Sequence, residues 1–379
     1  MIFNKVSIGE VVTLRQGFAI NKNTKHHMSD EPTDLHLLRI GDMKDGSYSI
    51  YVKDTIPAHF IANEDDIIYT RTGQVGLVFR KQHGVIHNNC FSVTPQNEDV
   101  LDRGFLFYVL QTKEFYEEAN SKASGAAQPD LPHGAFNSIS IPIPDIDIQR
   151  KISNILKSYD DLIENNQKQI KLLEEAAQRL YKEWFVDLRF PGYEKTEIID
   201  GVPVGWKKEK LVKIADIKAG GDKPEEYSNN KTRENSIPIY ANGTEKEGLF
   251  GYTNKPVITD ESVTISARGT VGCVFLRRTP YVPIVRLLSV IPYEVSAVYL
   301  YYCLSNEQFE RNGTSQQQIT VPMVKDKLIL IADKETVRLF VQKVIGNINK
   351  KDVLTEQCKL LKEARDRLLP KLMNGEIEI

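Results

Sequence analysis

An arginine beside a glycine in a short turn can grip a phosphate oxygen or bridge O6 and N7 of guanine, because the glycine lets the backbone come close to another surface. This chain carries that combination twice, in Arg71-Thr72-Gly73-Gln74 and in Arg268-Gly269-Thr270. A plain hairpin turn with a solvated arginine would look the same. Ser124-Gly125-Ala126-Ala127-Gln128 and Gly313-Thr314-Ser315-Gln316-Gln317-Gln318 are small polar loops. Hydroxyls, amides and exposed N–H groups bind phosphate, and glutamine can pair bidentately with adenine. The glutamine run is the better candidate for reading bases.

Two further loops differ completely from one another. Asn21 to His27 offers Lys22, Asn23 and Lys25, and Gly220 to Arg233 offers Lys223, Asn229 and Lys231. Idle surface loops also vary in this way. Asn242, in Tyr240-Ala241-Asn242-Gly243, is another candidate base reader. The seven histidines all lie at or before His133; His83 and His87 stand at a helix-like spacing, but without a helical pattern there or nearby cysteines no metal site is expected.

The elements that must position these loops are themselves duplicated. Ile67-Ile68-Tyr69-Thr70-Arg71-Thr72-Gly73-Gln74-Val75-Gly76 returns as Val263-Thr264-Ile265-Ser266-Ala267-Arg268-Gly269-Thr270-Val271-Gly272, an offset of 269 less 73, or 196. Ile8, Val11, Leu14 and Gly17 match Leu211, Ile214, Ile217 and Gly220 (211 less 8, or 203), and Leu172, Leu173, Ala176 and Leu180 match Leu360, Leu361, Ala364 and Leu368 (360 less 172, or 188). Such drift is expected when loops change length around a constant framework. Each copy reads as a domain of roughly 140 residues followed by a long helix.

From Ile152 the positions Ile152, Ile155, Tyr159, Leu162, Asn166, Gln169, Leu173, Ala176 and Leu180 fall alternately three and four apart, a heptad seam. At 1.5 Å per residue a helix of about 40 residues spans about 60 Å and cannot bury its seam alone. The second copy supplies Phe340, Val344, Ile348, Leu354, Cys358, Leu361, Ala364 and Leu368. Asn347 and Lys350 interrupt its first half, so pairing is expected to be tightest from Leu361 to Leu368. Antiparallel pairing is favoured over parallel, because the turn-rich connector from Pro191 to Gly205 is long enough to reverse direction. Asn166 either fixes register as a buried polar seam residue or faces solvent.

The predicted order is a first domain over residues 1–145, a central helix over 146–187, a connector over 188–205, a second domain over 206–333 and a C-terminal helix over 334–379. Each domain is expected to open with an amphipathic helical turn (Ile8, Val11, Leu14) and to continue into short strands such as Asp66 to Thr70 and Val75 to Arg80. A helix is expected from Gly104 to Asn120 in the first copy and from Ala297 to Arg311 in the second. The class is α+β with a mixed or antiparallel sheet.

With 379 residues, the chain is comfortable for two cores. Hydrophobic content of 41% and charged content of 26% are those of a globular protein, and no apolar run nears the roughly 20 residues of a membrane span. The N-terminus lacks a signal-peptide pattern, so a cytoplasmic location is expected. A formal net charge of −2 means that a nucleic-acid binder must concentrate its positive charge locally. The four cysteines are scattered, without C-x-x-C spacing, and read as free thiols.

Taken in order, Ile141-Pro142-Ile143-Pro144 with Gln149-Arg150-Lys151-Ile152, Pro203-Val204-Gly205-Trp206-Lys207, the Gly125/Gln128 and Gly313/Gln316 pairs, and the domain-helix repeat resemble the specificity subunit of type I restriction-modification systems. The resemblance covers essentially the whole chain. It implies two target-recognition domains, each reading half of a split target in double-stranded DNA, with antiparallel spacer helices acting as a ruler. It implies two methyltransferase subunits that carry S-adenosylmethionine and dock on those helices and, where present, two restriction subunits carrying ATP and magnesium. No cofactor is expected on this chain. The sequence agrees in lacking an Asn-Pro-Pro-aromatic loop, a glycine-rich cofactor turn and a G-x-x-x-x-G-K-[ST] loop.

One departure stands out. The second exit, Leu328-Ile329-Leu330-Ile331-Ala332-Asp333, lacks the prolines and glutamine of the first, so the two helix starts are expected to differ. A coiled-coil adaptor that binds only protein is the alternative, and it would need no positively charged face.

Overall fold

A computed structural model describes residues 3–125, 127–309 and 318–379. The chain divides into two compact units, residues 1–167 with 356–379, and residues 168–355. Each holds a domain together with a stretch of both long helices.

In the first unit, the strands Val12–Gln16, Cys90–Pro95, Ile67–Thr70 and Val78–Phe79 form an antiparallel sheet in that spatial order. Their β-branched and aromatic residues suit a pleated surface buried on both faces, and Ile67, Tyr69, Phe91 and Val93 are fully enclosed. Helices Arg103–Val109 and Lys113–Lys122 cover one face, capped by the Asp102 and Thr112 side chains. A second sheet is built from Met28–Ser29, Tyr51–Val52, Leu35–Leu38, Gly84–Ile86 and Ile61–Ala62. Asn4–Ser7 pairs with Ser140–Ile143, where Pro142 is tolerated in a two-stranded ribbon.

The second unit repeats this plan. Ala215–Ala219, Leu288–Pro292, Ser262–Ile265 and Val274–Arg277 form the equivalent antiparallel sheet, and Lys207–Lys210 pairs with Leu328–Ile331 as Asn4–Ser7 pairs with Ser140–Ile143. Its smaller sheet contains Leu249–Thr253, Ile237–Tyr240 and Val282–Pro283. The class is α+β with mainly antiparallel sheets, as expected.

Three local expectations need correction. The helical turn at the start of each domain is a single 3₁₀ turn, Ile8–Glu10 and Leu211–Lys213, after which Leu14 and Ile217 already lie in strands. Alternation in the strand accounts for the burial of Val12 and Ile217. The helix expected over Gly104 to Asn120 is two helices, broken where Thr112 caps the second. Its counterpart is Ala297–Ser305, shorter than expected.

The central helix runs over Ile146–Tyr181 and widens into a π turn at Lys182–Val186, and the C-terminal helix runs over Lys334–Met373. In the first unit Asp160 meets Arg365 at 2.6 Å, and the Cys358 Sγ lies 3.7 Å from the Ile163 carbonyl. In the second, Glu174 meets Lys351 at 2.7 Å. Residue numbers fall along one helix as they rise along the other, so pairing is antiparallel in both units.

The seam differs from the expected one by a position. Ile152 and Val344 are buried, but Leu162 is 51% exposed while Ile163 is buried, and Ala177 and Tyr181 rather than Ala176 and Leu180 turn inward. Ile155, Tyr159, Leu173, Leu180, Leu361 and Leu368 are half-buried. Nor is the Leu361 to Leu368 section the tightest. Phe340 and Val344 are the best enclosed, because Tyr181, Trp184, Phe185, Tyr299 and Tyr302 form an aromatic cluster with them. Edge-to-face contacts of that kind add to the area buried. Asn166 is buried, and its Nδ2 lies 3.3 Å from Gln357 Oε1 on the C-terminal helix.

Candidate nucleic-acid interface

The repeated turn has one hydrogen-bond frame in both domains. Thr70 N donates to Leu77 O at 3.0 Å and Gly76 N to Thr70 O at 3.1 Å; Ser266 N donates to Cys273 O at 2.9 Å and Gly272 N to Ser266 O at 2.8 Å. Gly73 and Gly76 have φ of 83° and 99°, Gly269 and Gly272 of 68° and 90°, a left-handed backbone that only glycine adopts without strain. This frame aligns Arg71 with Ala267 and Thr72 with Arg268, so the two arginines are not equivalents.

Their surroundings differ accordingly. The Arg71 guanidinium is 20% exposed, 2.7 Å from Asp130 and 3.1 Å from Gln16 Oε1. Thr72 donates to Asp130 at 2.5 Å, and His133 Nε2 lies 2.8 Å from the same Gln16 oxygen. Burial would raise the Asp130 carboxyl, but the hydrogen bonds from Thr72 and Arg71 and the charges of Arg71 and His133 hold it below its usual range. Burial first, and then the Arg71 charge, push the His133 imidazole down. Leu131 N donates to Arg71 O and Ile319 N to Ala267 O, which aligns Asp130 with Gln318. The second domain therefore loses the arginine and its carboxylate together. Arg71 and Thr72 brace the loop containing Ser124 and Gln128, so the Arg71 guanidinium is already engaged by protein partners.

Asn242 is engaged in the same way. Its Oδ1 accepts from Ala267 N at 2.7 Å and its Nδ2 donates to Val285 O at 2.7 Å, so both ends of the amide are used. The asparagine ties the Gly269 turn to the Val285-Arg286 turn. Those two residues have φ of 52° and 61°, which is uncommon for any side chain and strained for valine. Val285 N is held by Gly221 O at 2.9 Å and Arg286 N by Gly220 O at 3.0 Å. Arg268, Thr270, Arg286 and Lys223 are exposed along this edge. Lys223 lies over the Tyr227 ring at 4.2 Å. Asn229 and Lys231 are exposed farther along the same loop. Gln318 is half-buried; Ser315, Gln316 and Gln317 lie outside the described residues.

The first domain builds the matching edge. Asn88 N donates to Phe18 O, and Asn89 O accepts from Arg71 N and Thr72 N, so the loops after Gly17, around Asn88 and at Gly73 adjoin. Ser124 and Gln128 are exposed beside them, joined through the Gly73 N to Pro129 O bond at 2.8 Å. Lys22, Asn23 and Lys25 are exposed, and Gln74 accepts from Lys44 Nζ at 2.9 Å.

Charge is sorted across the domain. Arg15, Arg39, Arg80 and Arg103 each sit on a carboxylate, whereas Lys22, Lys25, Lys44 and Lys53 have no carboxylate partner among the described residues. Lys53 Nζ caps the His26 carbonyl at 3.0 Å. Lost hydration and then the charges of His26 and Lys53 lower the His27 imidazole. These four lysines are cations without an ion pair among the described residues of a chain whose net charge is −2.

Sequence reasoning missed Arg286, Lys44 and Lys53. Arg286 follows Pro283-Ile284-Val285, a β-branched run without a turn signal, and its counterpart in the other copy is Asn89. The lysines lie on a short helix and beside a strand, outside any motif.

Known proteins resemble this chain in sequence and fold. The type I restriction enzyme MjaIX specificity subunit of Methanocaldococcus jannaschii is 25% identical over 348 residues, covering 83% of this chain and 78% of that protein. A putative type I specificity subunit of Mycoplasma pneumoniae is 27% identical over 273 residues, covering 70% of this chain and 69% of its own. The crystal structure of the type I restriction-modification S subunit from M. genitalium shares the fold, with a TM-score of 0.65 at 17% identity over 98% of this chain and 96% of that one. The family model described as the type I restriction modification DNA specificity domain matches residues 3–175 and again 203–357, once per repeat, and the chain belongs to that family.

Proposed function

We propose that this chain is the sequence-reading subunit of a type I restriction-modification complex, each recognition domain reading one half of a bipartite target in double-stranded DNA. The carrying observation is the repeated turn: one hydrogen-bond frame in both domains holds Thr72 against Asp130 in one and leaves Arg268 exposed in the other, with Asn89 and Arg286 on the neighbouring turns. A common frame with different side chains is what two unlike half-sites require. Direct contacts fall to Arg268, Arg286, Lys223 and the glutamines in the second domain, and to Lys22, Lys25, Lys44, Ser124 and Gln128 in the first. The chain carries no catalytic role in this reading.

The paired helices set the unread gap and dock two methyltransferase subunits. Leu172 and Leu360, equivalent in the repeat (360 less 172, or 188), are 63% and 55% exposed, and two such leucines fit two copies of one partner. Those partners bring S-adenosylmethionine and flip the target adenine from the duplex. Restriction subunits, where present, bring ATP and magnesium. The complex acts in the cytoplasm; no helix among the described residues is long and apolar enough to cross a membrane.

Mapping methylated adenines in cells with and without the gene tests the reading, with mobility shift of the chain plus its methyltransferase on the mapped site. A two-part motif that appears only with the gene is expected. An unchanged methylation pattern together with no sequence-dependent shift would overturn it.

A further inference from the structure

The two domains part company where each leads into its long helix. In the first, Gln149 is fully buried and its carboxamide sits in a three-point grip. Oε1 accepts from Asp102 N at 2.9 Å, and Nε2 donates to Val100 O at 2.9 Å and to Pro144 O at 2.8 Å. The repeat places Val337 at this position: 337 less 149 is 188, and the bond from Gln149 N to Asp145 O is matched by that from Val337 N to Asp333 O. The same offset turns Pro144 O into Ala332 O. An offset of 194, at which Leu106 N to Asp102 O matches Leu300 N to Ser296 O, turns Asp102 N and Val100 O into Ser296 N and Glu294 O.

Valine offers no polar atom to this grip. None of the three backbone groups has a hydrogen-bond partner among the described residues. Where the first domain is plugged, the second has a cavity of about 670 Å³ whose wall includes Glu294, Ser296, Ala332 and Val337. Ala332 is buried and Ser296 half-buried, while Glu294 is exposed at the rim; backbone groups placed as the first two are nearly always satisfied, so the set can take an outside partner.

We infer that this cavity binds a primary carboxamide from outside the chain, held by Ser296 N–H and the carbonyls of Glu294 and Ala332 as the first domain holds Gln149. One donor and two acceptors complement a C=O and an NH₂ group. A carboxylate of the same shape would set its oxygen against two carbonyl oxygens and is rejected. The amide comes either from a glutamine side chain of a docked protein or from a small amide. The inference is independent of the DNA-reading role.

The test is amide NMR of the intact chain titrated with propionamide, with propionate, and with glutamine blocked at both ends, in the wild type and in Val337→Gln. A saturable shift of the Ser296 amide with propionamide, none with propionate and none in Val337→Gln is expected. The variant's own carboxamide should fill the grip and raise Tm by several degrees. A matching response to the blocked glutamine marks a protein side chain as the source; response to propionamide alone marks a small amide. No saturable shift in the wild type, or an equal one in Val337→Gln, overturns the inference whatever becomes of DNA recognition.

Discussion

Asp160 of the central helix and Arg365 of the C-terminal helix meet at 2.6 Å, and the other Asp160 oxygen takes Arg80 at 2.8 Å and the Tyr108 hydroxyl at 2.7 Å. One carboxylate thus joins both helices to the end of a recognition-domain strand. Burial, and then the bond to Asp160, raise the Tyr108 phenol far above its usual value, so it serves as a neutral donor. With its side chain 16% exposed, Asp160 is screened less than a surface group. Asp160→Ala leaves two guanidiniums facing each other and is expected to cost about 2–3 kcal/mol. Urea unfolding of the double-mutant cycle with Arg365→Ala should give a coupling of about 1 kcal/mol or more. A coupling near zero would show that the pair is an idle surface contact.

The repeat, the fold class and the helix pairing were legible because apolar spacing and glycine turns are local signals. The seam was misread at four places where two apolar residues adjoin, Ile155-Leu156, Leu162-Ile163, Ala176-Ala177 and Leu180-Tyr181, and read rightly at Leu172-Leu173. A spacing of three and four fits either member of such a pair, and the partner surface chooses between them. The surroundings of the arginines were hidden for a related reason. Arg71 beside Gly73 looks free until Asp130, distant in sequence, closes on it, and nothing local to Val285-Arg286 announces a left-handed turn.

That contrast sets the expectation for substitutions at the interface. Arg268→Ala and Arg286→Ala remove exposed cations and leave the fold intact. If they touch phosphate, binding weakens about equally on all sequences and the salt slope falls by about one; if they touch guanine, the loss is about 1–3 kcal/mol and selectivity relaxes at one position. Arg71→Ala instead leaves Asp130 with Thr72 as its one side-chain donor among the described residues and lowers Tm, with weakened binding following from a loosened Ser124 to Asp130 loop. Salt-dependent mobility shifts beside thermal melts separate these outcomes. An Arg71→Ala protein with unchanged Tm and a reduced salt slope would restore Arg71 as a contact.

Asp333 starts the C-terminal helix and collects bonds from Glu335 N and Thr336 N at 3.0 Å, Thr336 Oγ1 at 2.6 Å and Trp206 Nε1 at 2.9 Å. Burial alone would raise its carboxyl, but the Thr336 and Trp206 donors outweigh it and hold it below the ordinary 3.8. A folded value below the unfolded one means the contribution to stability is complete above 3.8 and is lost as pH falls through the lower folded value. Asp333→Asn keeps the capping oxygen but loses the charge, at a cost of about 1 kcal/mol near neutrality after solvent screening. Denaturation followed by tryptophan fluorescence should show the wild type weakening more steeply than Asp333→Asn below pH 4. Parallel curves would assign the cap no charge-dependent share.

The ruler role of the helices makes the sharpest demand. Seven residues added to each helix in register preserve the seam, since 3.5 residues per turn returns the same face after two turns. They lengthen each by about 10 Å, and at 3.4 Å per base pair this amounts to about three base pairs. The insertions belong near Asn166 and Gln357, where the helices pair through an amide contact of 3.3 Å. Each recognition domain keeps its contacts, so both half-sites should be unchanged and only the gap between them should grow, from a half-site spacing near 10 base pairs to about 13. Methylation mapping in cells carrying the lengthened chain reads half-sites and gap together. The same gap in both proteins would mean that the DNA, or the methyltransferase subunits, sets the separation, and the helices would then be a docking surface alone.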